Sequence, residues 1–375
     1  MKYSIILPCK DEAKTIGVCI KKIYQVLDKS EVEIIVVDNN SRDNSAKIAK
    51  SNGARVVKEK VQGYGAALRR GFSEAKGKYV IMCDADNTYD LLELPNLLQY
   101  ENYDIVIGNR LNRKMAPRAM PPLHKYVGNP LLSFIFRTFF KTRTKDTHSG
   151  FRVIKKSALD KMHLNSKGME LASEMLLKAA RLYLKIKEVS ISYHKREGAS
   201  KLNSFSDGWK HIRLMLLYSP NYLYLIPSIS MLVIGISIIL LMLSGPVHIQ
   251  GFVFYIHPIF IGSLLTILGY QIFLLWLFSK TYMLTYMDEN DKFVEHILNS
   301  LSLEKGVMIG IIALLFGLGI NIYLLTKWIY SNFGSLDNIG TTVLGLTLMI
   351  IGIQTIFSSF YLSILGIKND QKNDE

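Results

Sequence analysis

Residues 79–90 read Tyr-Val-Ile-Met-Cys-Asp-Ala-Asp-Asn-Thr-Tyr-Asp, an apolar run that breaks into two carboxylates one residue apart, Asp84 and Asp86. The run Tyr79 to Cys83 has the composition of a short buried strand, and the acidic break marks its carboxyl end. Two carboxylates so placed can share a hard divalent cation, and such a cation neutralises a diphosphate. Alone, D-x-D also suits an ordinary turn. Working upstream, the same construction recurs: Tyr3 to Leu7 leads into Pro8 to Glu12, and Val32 to Val37 leads into Asp38 to Asp43. Arg55 to Lys58 and Ile105 to Ile107 read as further strands, each flanked by a segment with helical periodicity. That alternation predicts a mostly parallel α/β sheet. Ligands of such sheets bind beyond the carboxyl ends of the strands, so the polar stretches predict one shared site.

Asp38 opens the turn DNNSRD, where its carboxylate would accept hydrogen bonds from a ribose or a base edge; an Asx turn without ligand is the alternative. Lys10 and Glu12 either line the same rim or belong to a solvated loop. Gly63-Tyr64-Gly65 introduces a helix through AALRRGF, as close backbone approach to a nucleotide would require. Its spacing satisfies neither the dinucleotide fingerprint nor the P-loop.

Beyond the first 220 residues the composition changes. The chain has 375 residues and a formal net charge of +14, and the positive excess lies ahead of Tyr222. Four apolar stretches come next, Leu223 to Leu243, Val253 to Phe278, Gly306 to Thr326 and Ile339 to Gly366, each long enough to cross a hydrocarbon core of ~30 Å. The expected organisation is a domain over 1–220, an all-α transmembrane domain over 221–367, and a cytoplasmic tail, 368–375. A buried helical core is the rival reading, disfavoured by runs this long with almost no charge. Ser244 to Gly251 and Trp328 to Asn338 are nearly uncharged, whereas Ser279 to Lys305 and the tail carry lysines. A multi-pass protein of the cell membrane is therefore expected, with the basic domain and both termini cytoplasmic. The opening MKYSIILPCKDE reads as strand and turn, not as a signal peptide.

Cys9, Cys19 and Cys83 lack metal-ligand spacing and are expected to be reduced core residues. A basic domain suits nucleic acid, anionic headgroups or phosphorylated substrates, but no zinc-finger spacing or RNA-binding aromatic motif supports nucleic acid. Residues 129–141 and 205–219 mix aromatic and aliphatic side chains with Arg and Lys. They are expected as amphipathic helices lying in a membrane interface, with core-facing helices as the alternative.

Taken in order, ILPCKDEAKTI, VVDNNSRD, GYGAALRRGF, CDADNTYD, IGNRL, THSGFRVI and YHKREGASKLNSF resemble the family-2 glycosyltransferases of the GT-A fold, in particular the dolichol-phosphate mannose and glucose synthase group. The resemblance covers about the first 215 residues. It implies a GT-A (Rossmann-like) catalytic domain that transfers a hexose, with inversion, from UDP-glucose or GDP-mannose to a polyprenyl (dolichyl) phosphate, aided by Mg²⁺ or Mn²⁺. Position by position it implies that Pro8, Lys10, Glu12, Val37, Asp38, Asn39, Gly63, Asp84, Ala85, Asp86, Arg110, Arg196 and Lys201 hold the nucleotide sugar. Asp84 and Asp86 would bind the metal. Thr88 stands where many relatives carry Gln, which leaves the third ligand open. Arg110, Lys125 and Asn129 would grip the lipid phosphate, and Asp86, Arg110 and Lys125 would serve catalysis. Glu170 and Glu174, one helical turn apart, leave two readings open: a hydrogen bond to sugar hydroxyls, or burial against a Lys or Arg. The partners implied are a nucleotide sugar, the lipid and the bilayer, and no nucleic acid; oligomeric state stays open.

Three rivals fit less well. A processive polysaccharide synthase would show Q-x-x-R-W, which is missing here. A sugar nucleotidyltransferase would need a Gly-rich, Arg-bearing loop where PCKDE stands. A non-catalytic membrane scaffold with a degenerate pocket is at odds with Asp38, Asp84, Asp86 and Arg110.

Overall fold

The computed structural model describes residues 1–111, 115–197, 204–249, 252–287, 291–300, 302–334 and 338–367. The chain divides into two compact units, Met1–Tyr218 and Ser219–Glu375.

In the first unit the strands are β1 (Tyr3–Cys9), β2 (Val32–Asp38), β3 (Arg55–Lys58), β4 (Tyr79–Met82), β5 (Ile105–Asn109), β6 (Arg152–Lys155) and β7 (Ile186–Ser190). The helices are α1 (Ile16–Val26), α2 (Ser45–Ser51), α3 (Tyr64–Glu74), α4 (Leu94–Leu98), α5 (Asn129–Phe140), α6 (Lys156–Lys161), α7 (Leu171–Arg181) and α8 (Ser204–Leu217). The seven strands lie in the order β3-β2-β1-β4-β6-β5-β7. β6 runs against its neighbours, pairing antiparallel with β4 and β5. The five strands expected from sequence are all present; β6 is inserted between β4 and β5, and β7 adds to the sheet beside β5.

The two-residue period of the strands divides the core. Ile5, Leu7 and Cys9 of β1 pack with Ile16, Cys19, Ile20 and Ile23 of α1, whereas Ile6 faces Leu68 and Phe72 of α3 and the buried row of α7. Each such fully buried Ile or Leu contributes roughly 1.5–3 kcal/mol relative to exposure. Register does the rest. Cys9 pairs with Asp38, and the Cys83 amide donates to the Ile6 carbonyl, so β1, β2 and β4 release their polar continuations at one edge. All three cysteines are free and buried, and burial pushes the Cys9 thiol up to about 11 and the Cys19 thiol to about 12.

Arg152 on β6 is wholly buried, and its charge is met by main-chain dipoles. The guanidinium donates to the carbonyls of Thr147, Ser149 and Ala172, tying the loop before β6 to α7.

The second unit comprises α9 (Ile226–Leu243), a hairpin of β8 (Val247–Ile249) and β9 (Phe252–Phe254), α10 (His257–Tyr286), α11 (Lys292–Ser300), α12 (Leu303–Tyr330) and α13 (Ile339–Gly366). Among the described residues four helices are long and apolar enough to cross a membrane, with mean hydropathy from 1.9 to 2.5. Large apolar side chains such as Leu240, Leu241, Phe316 and Phe357 point outward, which water would oppose and hydrocarbon accepts. The second expected span, Val253 to Phe278, is corrected at both ends: Val253 lies in β9, and the helix runs from His257 to Tyr286. Pro258 supplies a helix-ready φ in its first turn. Of Ser279 to Lys305, read as a loop, part completes α10, Lys292–Ser300 is helix, and α12 already begins at Leu303.

Glycine and hydroxyl contacts fix the directions of these helices. A Cβ on Gly235 would lie 2.7 Å from the Gly262 carbonyl, and one on Gly317 2.5 Å from the Gly345 carbonyl, so α9 meets α10, and α12 meets α13, at backbone distance. Ser263 bonds Thr347 and Tyr270 bonds Thr355, an ascending register that makes α10 and α13 parallel. Gly317→Leu should force α12 from α13 and lower the thermal unfolding midpoint of the detergent-solubilised protein, consistent with a loss of about 1–3 kcal/mol. Scanning fluorimetry against Gly319→Leu, at a position with open space, checks this.

Candidate active site

At the carboxyl edge of the sheet, Glu12 after β1, Asp38 at the end of β2, and Asp84 and Asp86 after β4 gather on neighbouring loops. The Tyr64 hydroxyl donates to Asp84 Oδ1 at 2.8 Å. The Thr88 hydroxyl (2.6 Å) and amide (3.1 Å) donate to Asp86 Oδ1, while Asp86 Oδ2 lies 3.3 Å from a terminal nitrogen of Arg196. The other terminal nitrogen of Arg196 pairs with Glu12. Thr15 ties α1 to this loop by donating to the Ala85 carbonyl at 2.7 Å.

Loss of solvent, and then the neighbouring Asp86 carboxylate, push Asp84 well above the usual carboxylate range. This is the chemistry a divalent cation relieves: two hard oxygen donors held together at a cost. Among the described residues no cluster of three His, Cys, Asp or Glu side chains could hold a metal by itself. The donor set therefore fits a Mg²⁺-like ion held by one or two carboxylates and completed by substrate phosphates. Thr88, whose hydroxyl orients Asp86, is buried beside it.

Around Asp38 the chain uses its own side chains. Asp38 Oδ1 accepts from the Ser41 amide, three residues on, at 3.1 Å. Asn39 donates to the carbonyls of Glu59 and Val61 and accepts from the Gly63 amide at 2.8 Å, so its amide pins the loop ahead of α3. Gly63 has φ of 146°, and a Cβ there would stand 2.2 Å from the Lys167 carbonyl. Val37 is a core residue, Pro8 continues β1, and Lys10 is partly exposed just beyond it.

Arg110 is clasped. Its Nε and a terminal nitrogen donate to Asp146 at 2.9 and 2.8 Å, its amide donates to the same carboxylate, and its guanidinium lies 5.4 Å from the Tyr193 ring centre. Burial would raise Asp146, but the Arg110 charge and hydrogen bonds hold it below the usual carboxylate range. A guanidinium expected to meet phosphate is thus already half committed to an internal partner. Sequence reasoning misses Asp146, Tyr64 and Tyr193. Asp146 stands just before the THSG segment, and proximity to a motif is its only signal.

Lys125 lies in the turn His124–Gly128 with Nζ 5.3 Å from the Tyr126 ring centre, and Asn129 donates to Met120 Sδ. Lys201 lies outside the described residues. Glu174 accepts from the Asn165 and Ser166 amides and from Lys178 at 2.8 Å, which is the second of its two readings, burial against a lysine. Glu170 accepts from the Gly168 amide, and its other carboxylate oxygen is buried without a hydrogen-bond partner.

Beneath the loop before β6, Ser133 bonds Thr147, Thr147 bonds His148 Nδ1, the His148 ring stands perpendicular to that of His211 at 4.3 Å, and His211 Nδ1 bonds Ser173. Burial pushes His211 down to about 4, and His148, also facing Arg110 and Arg152, lies well below the usual range.

A mostly parallel sheet carrying a D-x-D loop at its carboxyl edge, followed by four helices able to cross a membrane, is the build of a GT-A-type glycosyltransferase with a membrane unit. Residues 4–162 match the glycosyl transferase family 2 domain, and residues 277–366 match the glycosyltransferase family 2 C-terminal transmembrane region. The low-salt glycan biosynthesis hexosyltransferase Agl6 of Haloferax volcanii is 38% identical over 97% of this chain and 89% of its own length. A dolichyl-phosphate hexose transferase of the same organism is 29% identical over 55% of this chain and 88% of its own length. A solved structure of glucosyl-3-phosphoglycerate synthase from Mycobacterium tuberculosis, with Mn²⁺ and UDP-glucose, aligns at TM-score 0.48 and 21% identity over 58% of this chain and 79% of that one. The chain belongs to glycosyltransferase family 2.

The buried charges and rings carry measurable consequences. Asp146→Ala leaves Arg110 buried without its carboxylate and should lower stability by about 3–5 kcal/mol, seen as a large fall in the thermal midpoint. For the histidines, the neutral rings of the fold compete with an unfolded chain that protonates near pH 6.5. The His211 contribution is therefore complete above that pH and lost as pH falls toward about 4. Between pH 7 and pH 5 the wild-type midpoint should drop more steeply than that of His211→Gln, by a difference on the order of 1–2 kcal/mol.

Proposed function

We propose that this glycosyltransferase transfers a hexose, with inversion, from a nucleoside-diphosphate sugar (UDP-glucose or GDP-mannose) to a polyprenyl (dolichyl) phosphate at the cytoplasmic face of a membrane. The observation that carries the reading is the crowding of Asp84 and Asp86 at one strand end, where a cation and a diphosphate together remove a repulsion the fold otherwise retains. The names of the two Haloferax relatives support a hexose and a dolichyl-phosphate acceptor.

A phosphate monoester has its second pKa at about 6, so the acceptor oxygen arrives ionised and no strong general base is required. The chain's task is alignment and charge. Asp84 and Asp86 would hold Mg²⁺ or Mn²⁺, which supplies neutralisation of the departing diphosphate. Glu12, Asp38 and the backbone around Pro8 and Asn39 would seat the nucleoside. Arg110, fixed by Asp146, contributes positive potential that does not reorganise during reaction. Lys125 and Asn129 are proposed to meet the lipid phosphate, and Arg196 and Lys201 the donor.

The acceptor's tail argues for surface attachment. Leu131 and Phe134 of α5, Tyr126 and Val127 ahead of it, and Phe205 and Trp209 of α8 are exposed. Lys125, Arg137, Lys210 and Arg213 lie on the same two segments. Apolar and aromatic side chains mixed with cations suit the headgroup layer. In the second unit α9 and α12 run against α10 and α13, so both ends of that unit emerge on one side, and the lysine distribution supports a cytoplasmic placement of that side. The boundary near 220 and the tail 368–375 belong to the same proposal.

Purified protein with a short polyprenyl phosphate, Mg²⁺ or Mn²⁺ and a panel of nucleotide sugars should yield one polyprenyl-phosphate hexose, read by mass spectrometry of the lipid fraction. Asp86→Asn should lose at least about 100-fold in rate with an unchanged unfolding midpoint. Lipid product at wild-type rate from that variant would remove Asp86 from the mechanism.

A further inference from the structure

We infer that Arg196 is a built-in competitor for the divalent cation, so that cation and nucleotide diphosphate bind this enzyme with strong mutual reinforcement. The inference rests on the metal reading given above and goes beyond it.

Asp86 has both oxygens taken. Oδ1 accepts two hydrogen bonds from Thr88, and Oδ2 faces the Arg196 guanidinium at 3.3 Å. The same guanidinium pairs with Glu12, which lies beyond a different strand. One planar cation therefore bridges two carboxylates of the rim, where a metal ion would otherwise compete for Asp86.

The contact is built by backbone as well as by a long side chain. The His194 amide donates to the Thr88 carbonyl at 2.8 Å, Tyr193 forms a β-bridge with Tyr89, and Asn87 Nδ2 donates to Glu197 at 3.3 Å. Residues 193–197 are thus stitched across the D-x-D loop, by main chain at Tyr193 and His194 and by the Glu197 side chain beyond Arg196.

An independent observation points to an anion. Arg196 Nε is buried and has no hydrogen-bond partner. An unsatisfied buried donor costs about 1–3 kcal/mol, and a phosphoryl oxygen is an acceptor that would relieve it. Without nucleotide, a cation that takes Asp86 Oδ2 strips the guanidinium of one partner and adds positive charge beside it. With a diphosphate present, Arg196 has a replacement anion and Asp86 is released at little cost. Each ligand should then raise the other's affinity, by the same factor in either order of addition.

The test is Mn²⁺ binding to the full-length, detergent-solubilised protein, read by electron paramagnetic resonance of free Mn²⁺ with and without saturating UDP or, in parallel, GDP. For the wild type at least one nucleotide should raise Mn²⁺ affinity by about tenfold or more. Arg196→Gln should bind Mn²⁺ without nucleotide about fivefold or more tighter than wild type, with the nucleotide effect reduced to about twofold. Arg196→Lys, which keeps the charge but is too short to bridge both carboxylates, should fall between them. An Arg196→Gln protein that binds Mn²⁺ no tighter without nucleotide, or that keeps the wild-type nucleotide effect, overturns the inference while leaving the metal reading intact. Wild type whose Mn²⁺ affinity responds to neither nucleotide overturns it equally. Mn²⁺ binding that survives Asp86→Asn unchanged overturns the metal reading and the inference together.

Discussion

Like charges held close together in a place short of solvent repel, and the first unit is arranged around that repulsion. Parallel strands release their chain ends at one edge, so the segments leaving β1, β2 and β4 must share a small volume. Those segments carry Glu12, Asp38, Asp84 and Asp86. The surrounding structure meets the resulting potential with fixed dipoles and cations: Tyr64 on Asp84, Thr88 on Asp86, Arg196 between Asp86 and Glu12. Behind them, Asp146 sits under Arg110, and Arg152 crosses the interior bonded to carbonyls. Buried charge in this unit is therefore met by fixed protein groups, a carboxylate for Arg110 and carbonyls for Arg152.

That arrangement explains which parts were legible in the sequence. β1, β2 and β4 announce themselves because an apolar run stops abruptly at a polar group, and the stop is itself the functional feature. β6 and β7 do not. Arg-Val-Ile-Lys carries a charge at each end, and Ile186–Ser190 is only partly buried, so neither shows the composition of a core strand. Asp84 and Asp86 could be found by their spacing along the chain, whereas Asp146 acts through a partner 36 residues away and Arg152 through three carbonyls. Asn39 was legible as a site residue, but the carbonyls its amide would hold in place were not.

The membrane unit shows the same limit in another form. Hydropathy responds to composition, and Phe252–Phe254 is as apolar as the helix beyond it; only the pairing with Val247–Ile249 separates hairpin from span. What hydropathy could not convey is how the helices meet. Gly310 and Gly352 let backbones touch, and the hydroxyls of Ser263, Thr347, Tyr270 and Thr355 bond across α10 and α13. In hydrocarbon, apolar side chains find partners as readily in lipid as in protein, so these small and polar groups select the neighbour.

The three cysteines give the molecule a property unrelated to its chemistry. Each thiol is buried, and desolvation holds all three far from ionisation. Reaction with maleimides or iodoacetamide requires thiolate and access, and here both are scarce. The native chain is thus close to silent toward sulfhydryl reagents while folded. A single cysteine introduced on the surface of α8 or α11 can carry a spin label or fluorophore with all three native cysteines left in place.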